Sequence, residues 1–223
     1  MLVCFPVIGT VIGAIWYGVF RISGFVPVYL RTVLVAIVPW LLTGFMHLDG
    51  YMDVCDAVMS RRDLETRQKI LKDSRVGAFA VICIGILMLA QAGGVLSLLE
   101  LNDNATGIGL IFIPIASRIC AAFAVMNLKP MHTSQYSDLK KKMQFNVVLV
   151  LILIVIAALL IGGAYLFWEP AFAIRLGISV LATMVTYWVF AIYGNRMLGG
   201  MNGDISGYAL TLGELAGIIG LIL

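Results

Sequence analysis

The sequence predicts an all-α polytopic membrane protein, a bundle of about seven transmembrane helices forming one domain over residues 1–223. Three observations predict it. Of the 223 residues, 61% are hydrophobic and only 12% are charged, where soluble domains carry about 45–50% and about 25%. The mean hydropathy is +1.03. The apolar residues also come in runs long enough to cross a hydrocarbon layer of about 30 Å, which takes about 20 helical residues. A soluble enzyme, a secreted disulfide scaffold and a disordered chain are thereby excluded. Open strands cannot span hydrocarbon, and no ten-residue alternation suggests a barrel, so the runs read as helices.

In chain order the apolar stretches fall at about 2–20, 25–46, 77–99, 106–126, 146–168, 174–193 and 205–223. The first has no basic segment before it and leads straight into the second, which marks a span rather than a cleavable signal. The loops between them are unequal. Residues 47–76 carry Arg61, Arg62, Arg67, Lys69, Lys72 and Arg75; residues 127–145 carry Lys129, Lys140, Lys141 and Lys142; residues 194–204 carry Arg196. The loops at 100–105 and 169–173 hold Glu100, Asp103 and Glu169 and no Lys or Arg. Seven spans put the three basic loops on one side, and the positive-inside rule makes that side cytoplasmic. The expected setting is the cell (inner) membrane, with the N-terminus inside, the C-terminus outside and Arg21 in a short external turn as the one dissenting charge.

The lipid bilayer is therefore the expected partner. The net charge of +3 reflects loop orientation and gives no reason to expect nucleic acid; the oligomeric state is left open. Cys4, Cys55, Cys83 and Cys120 are scattered, with no C-x-x-C pair, so free thiols are expected rather than disulfides or zinc. Two histidines are too few for a histidine-built metal centre. The polar motifs gather at the cytoplasmic loops, whereas a transporter is expected to place polar groups at the midplane as well. This pattern predicts a cytoplasmic-face active site.

The segment His47-Leu48-Asp49-Gly50-Tyr51-Met52-Asp53-Val54-Cys55-Asp56 carries three carboxylates spaced by four and three. At about 100° per residue, Asp53 lies about 40° from Asp49 and Asp56 about 20° on the other side, so all three share one helical face. Stacked like charges repel. A hard divalent cation offsets that repulsion, and carboxylates bridging Mg²⁺ to substrate phosphates are its usual ligands. The plainer alternative is a solvated acidic face paired with Arg61 or Arg62. Further on, Lys72-Asp73-Ser74-Arg75 offers a fourth carboxylate between two cations, which suits a phosphate and metal site. Asp73 or Ser74 could equally be the N-cap of the next span.

These residues carry a resemblance. His47-x-Asp49-Gly50-x-x-Asp53-x-x-Asp56 followed by Lys72-Asp73-Ser74-Arg75-x-Gly77 resembles the cobalamin synthase family (adenosylcobinamide-GDP ribazoletransferase). Phe5-Pro6-x-x-Gly9-x-x-Ile12-Gly13 resembles that family's early F-P-x-x-G helix, and Gly199-Gly200-Met201-Asn202-Gly203-Asp204 with Glu214 resembles its late G-G-x-T-G-D…E motif. Two departures stand out. Asn202 replaces the usual Thr, and typical members have a further segment ahead of the F-P motif, so the resemblance implies a shortened start or a compact member.

The resemblance implies a Mg²⁺-dependent transferase that joins adenosylcobinamide-GDP to α-ribazole or its 5′-phosphate and releases GMP. On that reading Asp49 and Asp53 hold Mg²⁺ against the diphosphate, and Asp56 completes or orients the site. His47, Asp56 and Asp73 are the candidates for taking the ribose proton. His47 points about 160° from Asp49 in a helix, so it reaches the same site only if the helix starts at Asp49. Lys72 and Arg75 are candidates for the guanosine phosphates. Asp204 lies in a glycine-rich stretch whose backbone N–H groups could approach a phosphate. Arg118, costly in lipid, is expected to face the interior as an anion anchor. Glu214, roughly 15 Å along a helix from Asp204, reads as a buried polar partner, and His132 with Lys129 as an interfacial loop. The rival readings are a CDP-alcohol phosphotransferase or aspartate-rich prenyltransferase and, from another class, a transporter. Against the phosphotransferase, Asp53 and Val54 stand where its motif has Ala and Arg.

Overall fold

A computed structural model describes residues 5–101, 103–131 and 170–223. The predicted span at 146–168, with His132 and Lys140 to Lys142, lies outside the described residues. Among the described residues there are eight α-helices: α1 (Phe5–Ile22), α2 (Val28–Leu42), α3 (Met46–Met59), α4 (Leu64–Ile70), α5 (Ala78–Glu100), α6 (Asn104–Asn127), α7 (Pro170–Leu198) and α8 (Gly203–Ile222). Five of the apolar helices are long enough to cross a membrane, and the count becomes six if α2 and α3 form one bent span.

That bend corrects the expected span at 25–46. α2 ends at Leu42, and α3 leaves it at 88°. The reason is local. Gly44 and Phe45 both adopt left-handed backbone, at φ 59° and 62°, and their N–H groups return to the carbonyls of Leu41 and Trp40 at 3.0 and 2.8 Å. This closes the C-terminus of α2, as a left-handed residue does at many helix ends. A new helix then starts in a new direction.

Helix packing relies on small residues, since lipid supplies no hydrophobic drive between helices and close backbone approach must do the work. α1 lies against α6 through Gly9 and Gly13; a Cβ there would stand 2.6 Å from the Pro114 carbonyl oxygen and 2.4 Å from that of Ile111. α7 and α8 meet in the same way. A Cβ on Gly217 would reach 2.3 Å from Thr183 Oγ1 and one on Gly220 2.7 Å from Ser179 Cα, while Ser179 Oγ donates to the Gly217 carbonyl at 2.7 Å. Trp16, fully buried, donates its indole N–H to the Val35 carbonyl at 2.7 Å and ties α1 to α2.

Among the described residues the two largest apolar clusters make up most of the core. One gathers Trp16, Phe20, Val35, Leu98, Leu110 and Leu221. The other gathers Leu48, Tyr51, Val54, Tyr187, Ile205 and Tyr208 and packs beneath the acidic helix. The outward faces are apolar too, with Leu89 on α5 77% exposed and Leu181 on α7 63% exposed. A helix apolar all round belongs in a membrane. α4 is short and polar. Asp63 caps it by accepting from the Thr66 N–H at 2.8 Å. Its Arg67 and Gln68 donate to the Met197 and Leu198 carbonyls at 3.1 and 2.8 Å, which fastens it to the end of α7.

Candidate active site

The site begins with a close crossing. Gly50 of α3 rests on the backbone of α8 where that helix starts, so a Cβ there would stand 2.8 Å from Asp204 Cα. One turn on, a Cβ on Gly207 would stand 3.1 Å from His47 Cα. The two glycines let α3 and the first turn of α8 touch backbone to backbone, and Asp204 is thereby brought within electrostatic reach of Asp49 and Asp53. Asp53, half-buried, feels the charges of Asp49, Asp204 and Asp56. Asp49 is exposed, so the group opens to solvent on one side.

Asn202 explains how Asp204 is held. Its side-chain oxygen accepts from the Ile205 N–H at 3.0 Å, which caps α8, and its amide donates to Asp204 Oδ2 at 2.7 Å. Asn is as good an N-cap as Thr, so the departure from the family pattern preserves the cap. The preceding glycines shape the turn. Gly199 has φ 79°, and a Cβ on Gly200 would strike Met131 backbone at 2.6 Å. The Met201 N–H is already spent on the Lys129 carbonyl at 2.7 Å.

Asp56 has a structural engagement that its spacing did not reveal. Its carboxylate accepts from the Gly77 N–H at 2.6 Å and from the Ala80 N–H at 2.9 Å. It therefore caps α5 from across the fold. The N-cap position of α5 belongs to Gly77, and neither Asp73 nor Ser74 fills it. Gly77 has no side chain to offer, and a Cβ there would collide with the Asp56 carboxylate at 2.5 Å.

Asp73 instead faces Arg75, whose Nη2 and Nε reach it at 2.6 and 3.0 Å. That guanidinium holds the Asp73 carboxyl at about 2, below the usual 3.8. Lys72 and Arg75 are both exposed in the turn that precedes α5.

Beside the crossing lies a cavity of about 690 Å³, between α1, α3, α6 and α8. His47, Arg118 and Asp204 all line it. α3 begins at Met46, not at Asp49, so His47 does point away from Asp49. It shares the lining of the cavity with Asp204, which belongs to α8. Arg118 is buried and paired with Glu214, whose carboxylate also accepts from Ser117 Oγ at 3.0 Å. Glu214 is thus the buried partner its distance from Asp204 suggested. Arg118 Nη1 takes both Glu214 and Ser117, while Nη2 is buried with no hydrogen-bond partner among the described residues.

Among the described residues no three His, Cys, Asp or Glu side chains close up as a metal cage. The donor set still fits Mg²⁺. Carboxylate oxygens on one open face suit an ion that keeps several waters and takes one or two carboxylates together with phosphate oxygens.

Sequence reasoning named Gly50 only as a letter of its motif, and missed Gly207 and Ser117. The first two had a signal in small residues on helix faces; Ser117 had none beyond its place next to an intramembrane arginine.

A polytopic helical membrane protein with a cluster of aspartates at a helix crossing is the class that the fold and site define. The family model for cobalamin-5-phosphate synthase matches residues 1–222. A relative from Clostridium perfringens is 39% identical over 96% of this chain and 84% of its own length, and is named adenosylcobinamide-GDP ribazoletransferase. Relatives bearing the same name in Clostridium botulinum and Geobacillus thermodenitrificans are 35% and 31% identical, over 98% and 97% of this chain and 84% and 83% of their own. No solved structure matches. The chain belongs to the cobalamin-5-phosphate synthase family, as its motifs implied, and the phosphotransferase, prenyltransferase and transporter readings have no comparable support.

Proposed function

We propose that the protein is an adenosylcobinamide-GDP ribazoletransferase acting at the cytoplasmic face of the cell (inner) membrane, with its N-terminus inside. The observation that carries this reading is the Gly50 crossing, which brings Asp204 to Asp49 and Asp53 in a chain of this family. A ribose hydroxyl of the acceptor attacks the phosphorus that bears the cobinamide. The new O–P bond forms, the bond to GMP breaks, and the ribose proton passes to a base of the protein.

Asp49 and Asp53, joined by Asp204, would hold Mg²⁺. When bound, that ion neutralises charge on the diphosphate and the leaving group. The residues' own tasks are distinct. His47 lines the cavity with Asp204, which favours it over Asp73 and Asp56 for the proton. Asp73 is paired with Arg75 in the exposed turn before α5, and Asp56 is engaged with α5. Lys72 and Arg75 meet the guanosine phosphates from the exposed turn before α5. The cobinamide, too large for the cavity, stays on the solvent side.

The test is to incubate membranes with adenosylcobinamide-GDP, α-ribazole or its phosphate, and Mg²⁺, and to follow GMP and the corrinoid product. Folded protein that yields neither overturns the reading. For the metal, Mg²⁺ at ten times its Kd raises stability by about 1.4 kcal/mol, seen as a higher melting temperature in wild type and little change in Asp53→Asn. Equal shifts in both remove Asp53 from the ion.

A further inference from the structure

The turn between α4 and α5 carries Lys72 and Arg75, both exposed, and its far end is held by a residue of another helix. Inside the turn the bonds are local. The Lys72 and Asp73 N–H groups close back on the Lys69 and Ile70 carbonyls at 3.2 and 3.0 Å, and Arg75 folds onto Asp73. Among the described residues, the one hydrogen bond that ties residues 72–77 to an element other than α4 and α5 runs from the Gly77 N–H to Asp56 of α3, at 2.6 Å. The Ala80 N–H donates to the other oxygen of that carboxylate at 2.9 Å. Asp56 also lies near enough to Asp53 for their charges to interact. A single side chain thus borders both the aspartate group and the end of the basic turn.

A local cap would satisfy the same donors, since Ser, Thr or Asn at position 77 suffices. Position 77 is Gly instead, and a Cβ there would stand 2.5 Å from the Asp56 carboxylate. The cap comes from across the fold and adds a third negative charge to the face of Asp49 and Asp53. Holding α5 to α3 does not require it, because Tyr51 of α3 donates to the Cys83 carbonyl, further along α5, at 3.2 Å. What Asp56 alone fixes is the end of the turn relative to α3.

We propose that Asp56 is a positioning residue, whose carboxylate sets the spacing between the aspartates of α3 and the cations of the turn so that one diphosphate meets both. The proposal rests on the transferase reading, in which the aspartates take the metal and Lys72 and Arg75 the guanosine phosphates. It removes Asp56 from the metal set and from the proton step. A diphosphate has a fixed length, so groups that grip its two ends act together at one separation only, and a misplacement of about 1 Å costs about 100-fold.

Two variants of the full-length protein break the contact from opposite sides. Asp56→Asn replaces one of the two acceptor oxygens by an amide; Gly77→Ala keeps every acid and pushes the carboxylate aside. In each, kcat/KM for adenosylcobinamide-GDP falls about 10- to 100-fold. The loss lies in KM, as removal of ground-state binding requires, and calorimetric titration of that substrate without acceptor shows a matching rise in Kd. KM for the riboside stays within threefold of wild type, and Mg²⁺ still raises the melting temperature as it does in wild type. The three atoms nearest a Cβ on Gly77 all belong to the Asp56 carboxyl, so Asp56→Ala with Gly77→Ala matches Asp56→Ala alone within threefold. Melting temperatures verify folding, and should Asp56→Asn not fold, Gly77→Ala decides. Loss of the Mg²⁺ shift in folded Asp56→Asn overturns the proposal and returns Asp56 to the metal. An unchanged KM for the GDP substrate in folded Gly77→Ala, an equal rise in KM for both substrates, or additive losses in the double variant overturn it as well, while the transferase reading stands. Wild-type protein that releases no GMP overturns the transferase reading and the proposal with it.

Discussion

Gly50→Ala tests the site at its narrowest point. The added Cβ would stand 2.8 Å from Asp204 Cα and 3.0 Å from the Asp204 carbonyl oxygen. Carbon atoms in ordinary contact sit about 3.5–4.0 Å apart. Both obstructing atoms are backbone, so no side chain can swing aside, and α3 must part from the start of α8 by about 1 Å. Overpacking of this kind costs about 1–3 kcal/mol of stability. The larger effect falls on chemistry, because a misplacement of about 1 Å between groups that act together costs about 100-fold in rate. GMP release by purified protein, with a melting curve alongside, reads both quantities. The expected result is a folded protein whose kcat falls by about 10- to 100-fold. Gly85→Ala is the control, since a Cβ there meets nothing within 4 Å. Gly50→Ala with kcat within threefold of wild type refutes the argument that this crossing sets the aspartates' positions.

Three further outcomes follow from the same geometry. Asp56→Ala removes the cap of α5 and lowers stability by about 1–2 kcal/mol; Asp56→Asn, which keeps one acceptor, loses less, and thermal melts compare them. Glu214→Ala strands the buried Arg118 and costs about 3–5 kcal/mol, whereas Glu214→Gln retains a hydrogen bond and melts higher than the alanine variant. Asp73 is held at about 2 by Arg75, against 3.8 ordinarily, so the pair contributes in full above the ordinary value and is lost only as pH falls through about 2. Asp73→Asn therefore leaves the acid limb of the pH–rate profile where it was between about pH 5 and 8, and a shift of more than half a unit contradicts this.

Much of the fold was legible because hydropathy is a property of the chain alone. The runs at 77–99, 106–126 and 205–223 match α5, α6 and α8 closely. The bend after α2 was hidden, since Thr43-Gly44-Phe45 sits inside an uninterrupted apolar run and only the left-handed backbone of Gly44 and Phe45 ends the helix. Arg118 and Glu214 were legible in part, because an intramembrane charge demands a partner. The cap of α5 was not. Local rules inspect the residues just before a helix, where Asp73 and Ser74 were the obvious choices; the donors there are met by Asp56, 21 residues back, at Gly77.

The aspartates of the site were readable one helix at a time and not as a group. Periodicity put Asp49 and Asp53 on one face of α3, and it could say nothing about Asp204, which reaches them by tertiary contact. What decides that contact is glycine. Elsewhere in this bundle the same device sets α1 on α6 and α7 on α8, where the atoms pressed together are neutral carbonyls, hydroxyls and side-chain carbons. At Gly50 it presses a carboxylate-bearing turn against a carboxylate-bearing helix. Close packing could be had there with neutral residues and less repulsion, as the other two crossings demonstrate. A local choice that opposes stability within an otherwise consistent bundle is the mark of a site kept for its chemistry, and the Gly50 crossing is where this chain makes that choice.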